Sequence, residues 1–371
     1  MPSPLRLCRC CPAARFPALH QKRVTIYDIA AKVGVSHSTV ALALRNHHRI
    51  SEKRRRQILQ VAKEMGYSPD PLLAALASYR AQIQPPKLQN AIVWLNHWEQ
   101  PERLRGAHRE FDAYWRGAHS SAQRFGYRLD EVRWEPEFSA QRFEQILLTR
   151  AIRGVLIPPH PVPPDWGDFD WNKFSVIRFG LSVPKPDSHL VTADQLRAVL
   201  MAARKISELG YQRIGLVIPE DQDRRLGGNF IGGFAAAQTF YQLAVLPPFL
   251  IEERFYLSDN ARGAQLLQRW LNKHKPDALL TSVGSLPEIL RELGYRVPKD
   301  IAVAGTSIDV PVDAGIDQHS EAIGRVAVEM LVSQINLNER GEPEDPSRIL
   351  IESRWRDGNS LPPANRTRAN P

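Results

Sequence analysis

Four consecutive residues, Ser36-His37-Ser38-Thr39, place three hydroxyls and an imidazole at the leading end of the segment HSTVALALRN. Small and polar side chains at the front of a helix can approach base edges and phosphates closely, donating to them or accepting from them. A second concentration of reactive types lies at Cys8, Cys10 and Cys11, with His20 nearby. A C-x-C-C cluster can ligate a metal, but no paired second cluster accompanies it, so no metal site is expected. Residues 1–22 read instead as a disordered extension, or as the product of a start codon assigned too far upstream. The usual catalytic spacings are missing. There is no G-x-S-x-G elbow, no H-E-x-x-H pair and no phosphate-cradling glycine loop, so neither an enzyme nor a cofactor is expected.

Charge sharpens the first of these observations. The 371 residues carry a net charge of +9, yet residues 1–80 alone hold 14 Lys/Arg against 4 Asp/Glu. The remainder is nearly neutral. A basic module joined to a neutral one is the electrostatic footprint of a nucleic-acid-binding protein. A hydrophobic share of 43% is ample for a sizeable core, and the length suggests two or three domains. No run approaches 18 apolar residues, and the Pro- and Arg-rich start has no apolar core of a signal peptide; a cytoplasmic location is expected.

Three short helices must hold the polar quartet. Thr25 caps the first, with Asp28 in the capping-box position and Ile29, Ala30 and Val33 as its apolar stripe. Gly34 breaks that helix and Ser36 caps the next. Ser51 caps the third, where Ile58, Leu59, Ala62 and Met65 recur at helical spacing until Gly66. Two helices joined by a tight glycine-containing turn form a helix-turn-helix, here over residues 23–68. Beyond it, Pro69 stops helical geometry and Asp70-Pro71 restarts it over LLAALASYR. That helix is too short to persist alone in water. With the Pro-containing stretch QIQPPKLQ it makes a hinge and linker over 69–89.

From Asn90 the pattern changes to short apolar runs alternating with amphipathic helices. AIVWL, YRLDEVRW, GVLIPP, FSVIRFG, QRIGLVIP, FLIEERF, DALLTS and IAVAGT read as strands, and ILIESRWR (349–356) as one closing strand. Such alternation implies two parallel-sheet α/β subdomains over 90–358, followed by a tail at 359–371 without heptads. Ligands in such folds sit at the carboxyl ends of strands. The residues there by position are His97, Trp98, His160, Asp194, Asn229, Phe230, Ser282, Asp309 and Gln318.

The run from Val24 to Ala77 resembles the LacI/GalR family of transcriptional repressors. T-I-Y-D-I-A, G-V-S-x-S-T-V, R-I-S and M-G-Y-S-P-D-P-L-L-A-A-L-A carry the likeness over about 54 contiguous residues. More loosely, V-x-x-D-Q, L-G-Y-x-R-I and G-I-D-Q-x-S-x-x-I-G-R resemble the family's effector domain, which has the periplasmic-binding-protein fold. The resemblance implies a dimeric repressor of a pseudo-palindromic operator in double-stranded DNA, modulated by a small ligand, most simply a carbohydrate. The alternative is a solute-binding carrier that uses the α/β domain alone.

Carried over residue by residue, His37, Ser38 and Leu42 take the base-reading positions. Leu42 departs from the polar residue many relatives carry there and can meet only a thymine methyl. Thr25, Tyr27, Ser36, Thr39, Arg45, Asn46, Arg49, Ser51 and Arg54 fit phosphate contacts, with Arg45 replacing the usual Asn. Leu76 falls at the minor-groove wedge of the hinge. At the effector site, Phe230 stands where sugar-binding relatives place an Arg, and the Asn-Asp pair expected near Ser282 is missing.

Overall fold

The structure is a computed structural model that describes residues 24–44, 50–67, 90–99, 109–135, 137–252 and 261–364. The chain divides into two compact units, Met1–Ala75 and Leu76–Pro371. The extension at 1–22, Arg45, Asn46, Arg49, and the hinge and linker with Leu76 lie outside the described residues.

The first unit is three helices: α1 (Ile26–Val33), α2 (His37–Leu44) and α3 (Glu52–Glu64). The expected capping box closes α1. The Asp28 amide donates to Thr25 Oγ1 at 3.4 Å, and the Thr25 amide donates to Asp28 Oδ2 at 2.7 Å. Gly34 ends that helix in the left-handed conformation, φ 74°, which a β-carbon would strain. Ser36 Oγ accepts the Thr39 amide at 3.1 Å and starts α2. Ser51 holds the cap position of α3, but its side chain makes no capping bond. Ile29, Ala30, Val40, Ala43, Ile58 and Ala62 meet in one buried core.

The second unit contains two six-stranded sheets. Sheet 1 has β1 (Asn90–Asn96), β2 (Tyr127–Arg133), β3 (Gly154–Ile157), β4 (Ser175–Phe179), β5 (His189–Ala193) and β11 (Arg348–Ile351), in the order β11-β5-β4-β3-β1-β2. Sheet 2 repeats this order as β12-β10-β9-β8-β6-β7. Its strands are β6 (Ile214–Pro219), β7 (Phe249–Ile251), β8 (Ala278–Thr281), β9 (Ala302–Gly305), β10 (Gly315–Asp317) and β12 (Arg354–Arg356). All pairings are parallel except β10 with β12, which is antiparallel.

The central strands are buried on both faces, which explains their unbroken apolar runs. Alternation still sorts their side chains. Ile92 and Trp94 of β1 join one layer, under α4 (Arg109–Arg124) and α11 (Ser320–Leu337). Val93 and Leu95 join the opposite layer, with Phe143 and Leu147 of α5 (Ala140–Thr149). In sheet 2, α6 (Gln195–Glu208) and α8 (Asn229–Phe240) cover one face. Leu267 and Leu271 of α9 (Ala261–His274) and Leu286, Ile289 and Leu290 of α10 (Leu286–Glu292) cover the other.

The helix α4 meets α11 with backbones in contact. A β-carbon on Gly117 would fall on the Glu321 carbonyl, and one on Gly324 would fall on the Tyr114 carbonyl.

The chain passes between the sheets three times, at 193–195, 317–320 and 351–354. The last passage corrects the single closing strand expected at 349–356. ILI joins sheet 1 beside β5, whereas RWR joins sheet 2 beside β10. The expected tail also begins later than 359. Leu361 is buried against sheet 2, and the Ala364 amide donates to the Leu209 carbonyl at 2.8 Å.

Candidate DNA-reading helix and inter-sheet cleft

Helix α2 turns Val40 and Ala43 into the three-helix core and leaves its leading end outward. His37 and Ser38 are exposed, while Leu42, one turn later, is half-buried. The imidazole of His37 lies against the ring of Tyr27, centroids 4.9 Å apart, and Tyr27 is itself 62% exposed. An aromatic neighbour restricts the rotamers of a residue that would otherwise sweep freely. The hydroxyls of Ser36 and Thr39 share a 2.8 Å hydrogen bond, so the helix start offers ordered polar groups. On α3, Arg54 donates to Gln57 at 2.9 Å and Arg55 pairs with Glu52 at 2.7 Å. Arg54 is exposed, whereas Arg55 is half-buried.

The order 2-1-3-4-5 in each sheet reverses between the first and third strands, and such a switch point opens a crevice at the carboxyl ends. In sheet 1 that point lies between His97 and His160, and here the structure is closed. His160 is 3% exposed, its Nε2 accepts the His97 amide at 3.0 Å, and its Nδ1 donates to the Pro158 carbonyl at 2.8 Å. Burial lowers its pKa to about 4, helped by neighbouring His97 and opposed by the Pro158 carbonyl. Neither ring nitrogen is left for a ligand.

Trp98 is likewise 3% exposed, stacked on Phe111 and bonded through Nε1 to the Pro159 carbonyl at 3.1 Å. These two residues build the floor rather than reach into the cleft. His97 is half-buried and stacks on Trp134, and its Nε2 is buried without a hydrogen-bond partner. Burial lowers its pKa too; Asp165 opposes the shift and Arg133 reinforces it.

In sheet 2 the switch point lies between β6 and β8. A short helix, α7 (Glu220–Arg225), follows β6 directly. Ser282, at the end of β8, donates to Gln222 Oε1 of α7 at 2.6 Å. Phe230 departs from its expected place: it is 2% exposed in the core of sheet 2, and its amide donates to buried Asp223 at 2.9 Å. Its position on α8 turns inward, so it offers no stacking face. Asn229, one residue earlier, is half-buried.

The remaining candidates cluster near the passages between sheets. Asp194 accepts the Arg197 amide at 3.0 Å and caps α6. Gln318 donates to the Thr306 carbonyl at 2.8 Å. Asp309 accepts the Ser307 hydroxyl at 3.0 Å and the Ser320 hydroxyl at 3.5 Å. Burial raises the Asp309 pKa, and the carboxylates of Glu110 and Asp317 add to the rise. Tyr114 of α4 faces this group. Burial raises its phenol pKa, with Glu110 and Asp309 adding to the shift and a hydrogen bond to Ser320 opposing it. Hydroxyl and carboxyl groups from α4, from the segment after β9 and from the start of α11 therefore meet here.

Sequence reasoning missed Tyr114 and α7. The i,i+4 pairs Glu220–Arg224 and Asp221–Arg225 were the available signal for a helix there. Among the described residues no group of His, Cys, Asp and Glu is placed to hold a metal, and no helix is long and apolar enough to cross a membrane.

The family described as bacterial regulatory proteins, lacI family, matches residues 25–70, and the periplasmic binding protein-like domain matches residues 203–361. The transcriptional regulator DegA of Bacillus subtilis is 23% identical over 296 residues, covering 76% of this chain and 81% of its own length. The transcriptional repressor PurR of Escherichia coli is 23% identical over 340 residues, covering 86% and 92%. Among solved structures, a complex of the transcriptional regulator CelR with cellobiose shares the fold. Its TM-score is 0.56 at 19% identity, over 90% of this chain and 98% of that one.

Proposed function

Because this chain belongs to the lacI family of bacterial regulatory proteins, we propose that it is a sequence-specific DNA-binding repressor of the cytoplasm whose operator affinity is set by a small ligand held between its two sheets. The observation that carries the DNA half is the outward leading end of α2, where His37 and Ser38 stand exposed on a rigid three-helix core. A helix that presents polar side chains first can enter a major groove and bond base edges. Leu42 then limits readout at its position to apolar contact. Thr25, Tyr27, Ser36, Thr39, Ser51 and Arg54, with Arg45, Asn46 and Arg49, supply the phosphate contacts that fix register. Two such helices read two half-sites, so the working form is a homodimer. Leu76 is the residue this reading assigns to the minor groove.

The ligand half rests on the paired switch points. Hydroxyl, amide and carboxyl groups gather at the strand ends of sheet 2, over an aromatic floor in sheet 1. The solved complex of CelR with cellobiose supports a carbohydrate as the ligand class. A carrier function would leave the basic helical unit without a use.

Selection of duplexes from a random pool with the purified full-length protein tests the reading. It should enrich a pseudo-palindromic sequence, and the recovered site should repress a reporter. Recovery of duplexes with no common sequence would overturn it.

A further inference from the structure

The connection from β3 to β4 covers the face of sheet 1 opposite α4 and α11 without an α-helix. Residues 158–173 contain five prolines and form a single helical turn, Trp171–Lys173. In place of an apolar stripe they lay down rings. Trp166 and Phe169 join Val93, Leu95 and Phe143 in that layer, and Trp171 packs on them. Where this connection meets residues 180–188 and 341–346, a pocket of about 530 Å³ opens. Trp166, Phe169 and Trp171 line it beside four prolines, and Asp165, Lys185 and Glu342 carry its charged groups. The walls are held in advance. Trp166 Nε1 donates to the Lys185 carbonyl at 2.9 Å, and the Asp187 amide donates to Glu342 Oε1 at 2.8 Å. Arg178, 5% exposed, donates to the carbonyls of Val183, Pro184 and Ser188. Walls fixed in this way lose little entropy when something settles between them.

The two indoles stand almost at right angles, 88°, with centroids 5.5 Å apart, and the Phe169 ring is 4.4 Å from Trp171 and tilted by 52°. A flat ligand needs one open platform, whereas a corner of rings suits a rounded group. Trp171 is half-buried and has surface left to give; Trp166 and Phe169 are nearly covered. Charge selects the group. The three loops hold seven carboxylates against two lysines, and one of these, Lys173, is taken up by Glu144 and Asp170. An anion would be repelled here. A metal ion has no seat, because among the described residues no group of His, Cys, Asp and Glu is placed to hold one. A cation with alkyl groups on its nitrogen is held by aromatic faces and drawn in by carboxylates. We propose that this pocket binds an alkylated ammonium, its nitrogen against Trp171 and its charge facing Asp165 and Glu342. The proposal does not depend on what occupies the cleft.

Calorimetric titration of the full-length protein with choline and tetramethylammonium tests this, with 3,3-dimethylbutan-1-ol as the uncharged carbon analogue of choline. Wild type should bind both cations, and the alcohol about tenfold more weakly than choline. Trp171→Leu should weaken choline about tenfold, and Trp171→Phe, which keeps an aromatic face, should recover most of the loss. Lys185→Gln removes an exposed positive charge from the rim and should tighten choline a few-fold, a gain that added salt erases. Thermal melting monitors folding throughout. Lys185 is exposed, so its variant decides the matter should Trp171→Leu fold poorly. A ring cluster that served only to cover the sheet would not answer to a charge on the rim. Heat from neither cation, equal affinity for the alcohol, wild-type affinity in a folded Trp171→Leu, or no gain in Lys185→Gln would each overturn the proposal.

Discussion

His160 shows how a residue of the right type at the right strand end can be committed elsewhere. Its ring must be neutral to accept the His97 amide while donating to Pro158. With a folded pKa of about 4 against an ordinary value of 6.5, the unfolded chain binds the extra proton first. The contribution to stability is then complete above about pH 6.5, is lost as pH falls toward 4, and changes little below that. The shift corresponds to on the order of 3 kcal/mol. His160→Asn should flatten urea-unfolding stability across that window, and an unchanged slope would place the titration on another group. On the DNA side, His37 is exposed and held against Tyr27. A base-reading residue discriminates sequences and a phosphate contact does not. His37→Ala should therefore cost about 1–3 kcal/mol on the cognate operator and much less on random duplex. Equal losses in a binding titration on both DNAs would show that it only positions the protein.

At the scale of elements, the crossing of α4 and α11 joins a helix of sheet 1 to the helix that returns from sheet 2. It relies on Gly117 and Gly324, because each backbone occupies the space a β-carbon would need. Gly324→Ala should destabilise the α/β unit by about 1–3 kcal/mol through overpacking, measured by thermal unfolding, and leave the three-helix unit untouched. The helical unit was legible in the sequence because its signals are local. Thr25 and Asp28 meet within one turn, Gly34 acts on its own backbone, and Ser36 reaches three residues ahead. Most strands were legible too, from their apolar runs, but β5 and the three-residue β10 were not. What could not be read was direction and partner. Phe230 and Asn229 are adjacent, yet one turns into the core and the other stays half-buried, and only the packing of α8 on sheet 2 decides which. ILIESRWR has the same alternation whether it forms one strand or two, since its division depends on β5 and β10, more than a hundred residues apart. Helix α7 escaped because its six polar residues carry no apolar stripe.

For the whole molecule, charge is divided between the units as the labour is. Residues 1–80 hold nearly all the positive excess. If about six phosphates are neutralised, affinity for operator should fall roughly 10³-fold or more between 50 and 200 mM salt. A nearly flat plot of log affinity against log salt would remove phosphate neutralisation as the main source of binding. The α/β unit, close to neutral, should contribute little to that slope. Its two sheets are tied by three passages, and these are tied to one another. The Asp194 amide donates to Ile351, and His319 Nδ1 meets the Glu352 carbonyl at 2.9 Å. Three short tethers side by side at one edge resist stretching and shear but yield to bending. The angle between the sheets is thus what these tethers constrain least, and the ligand proposed for the cleft would act by setting it.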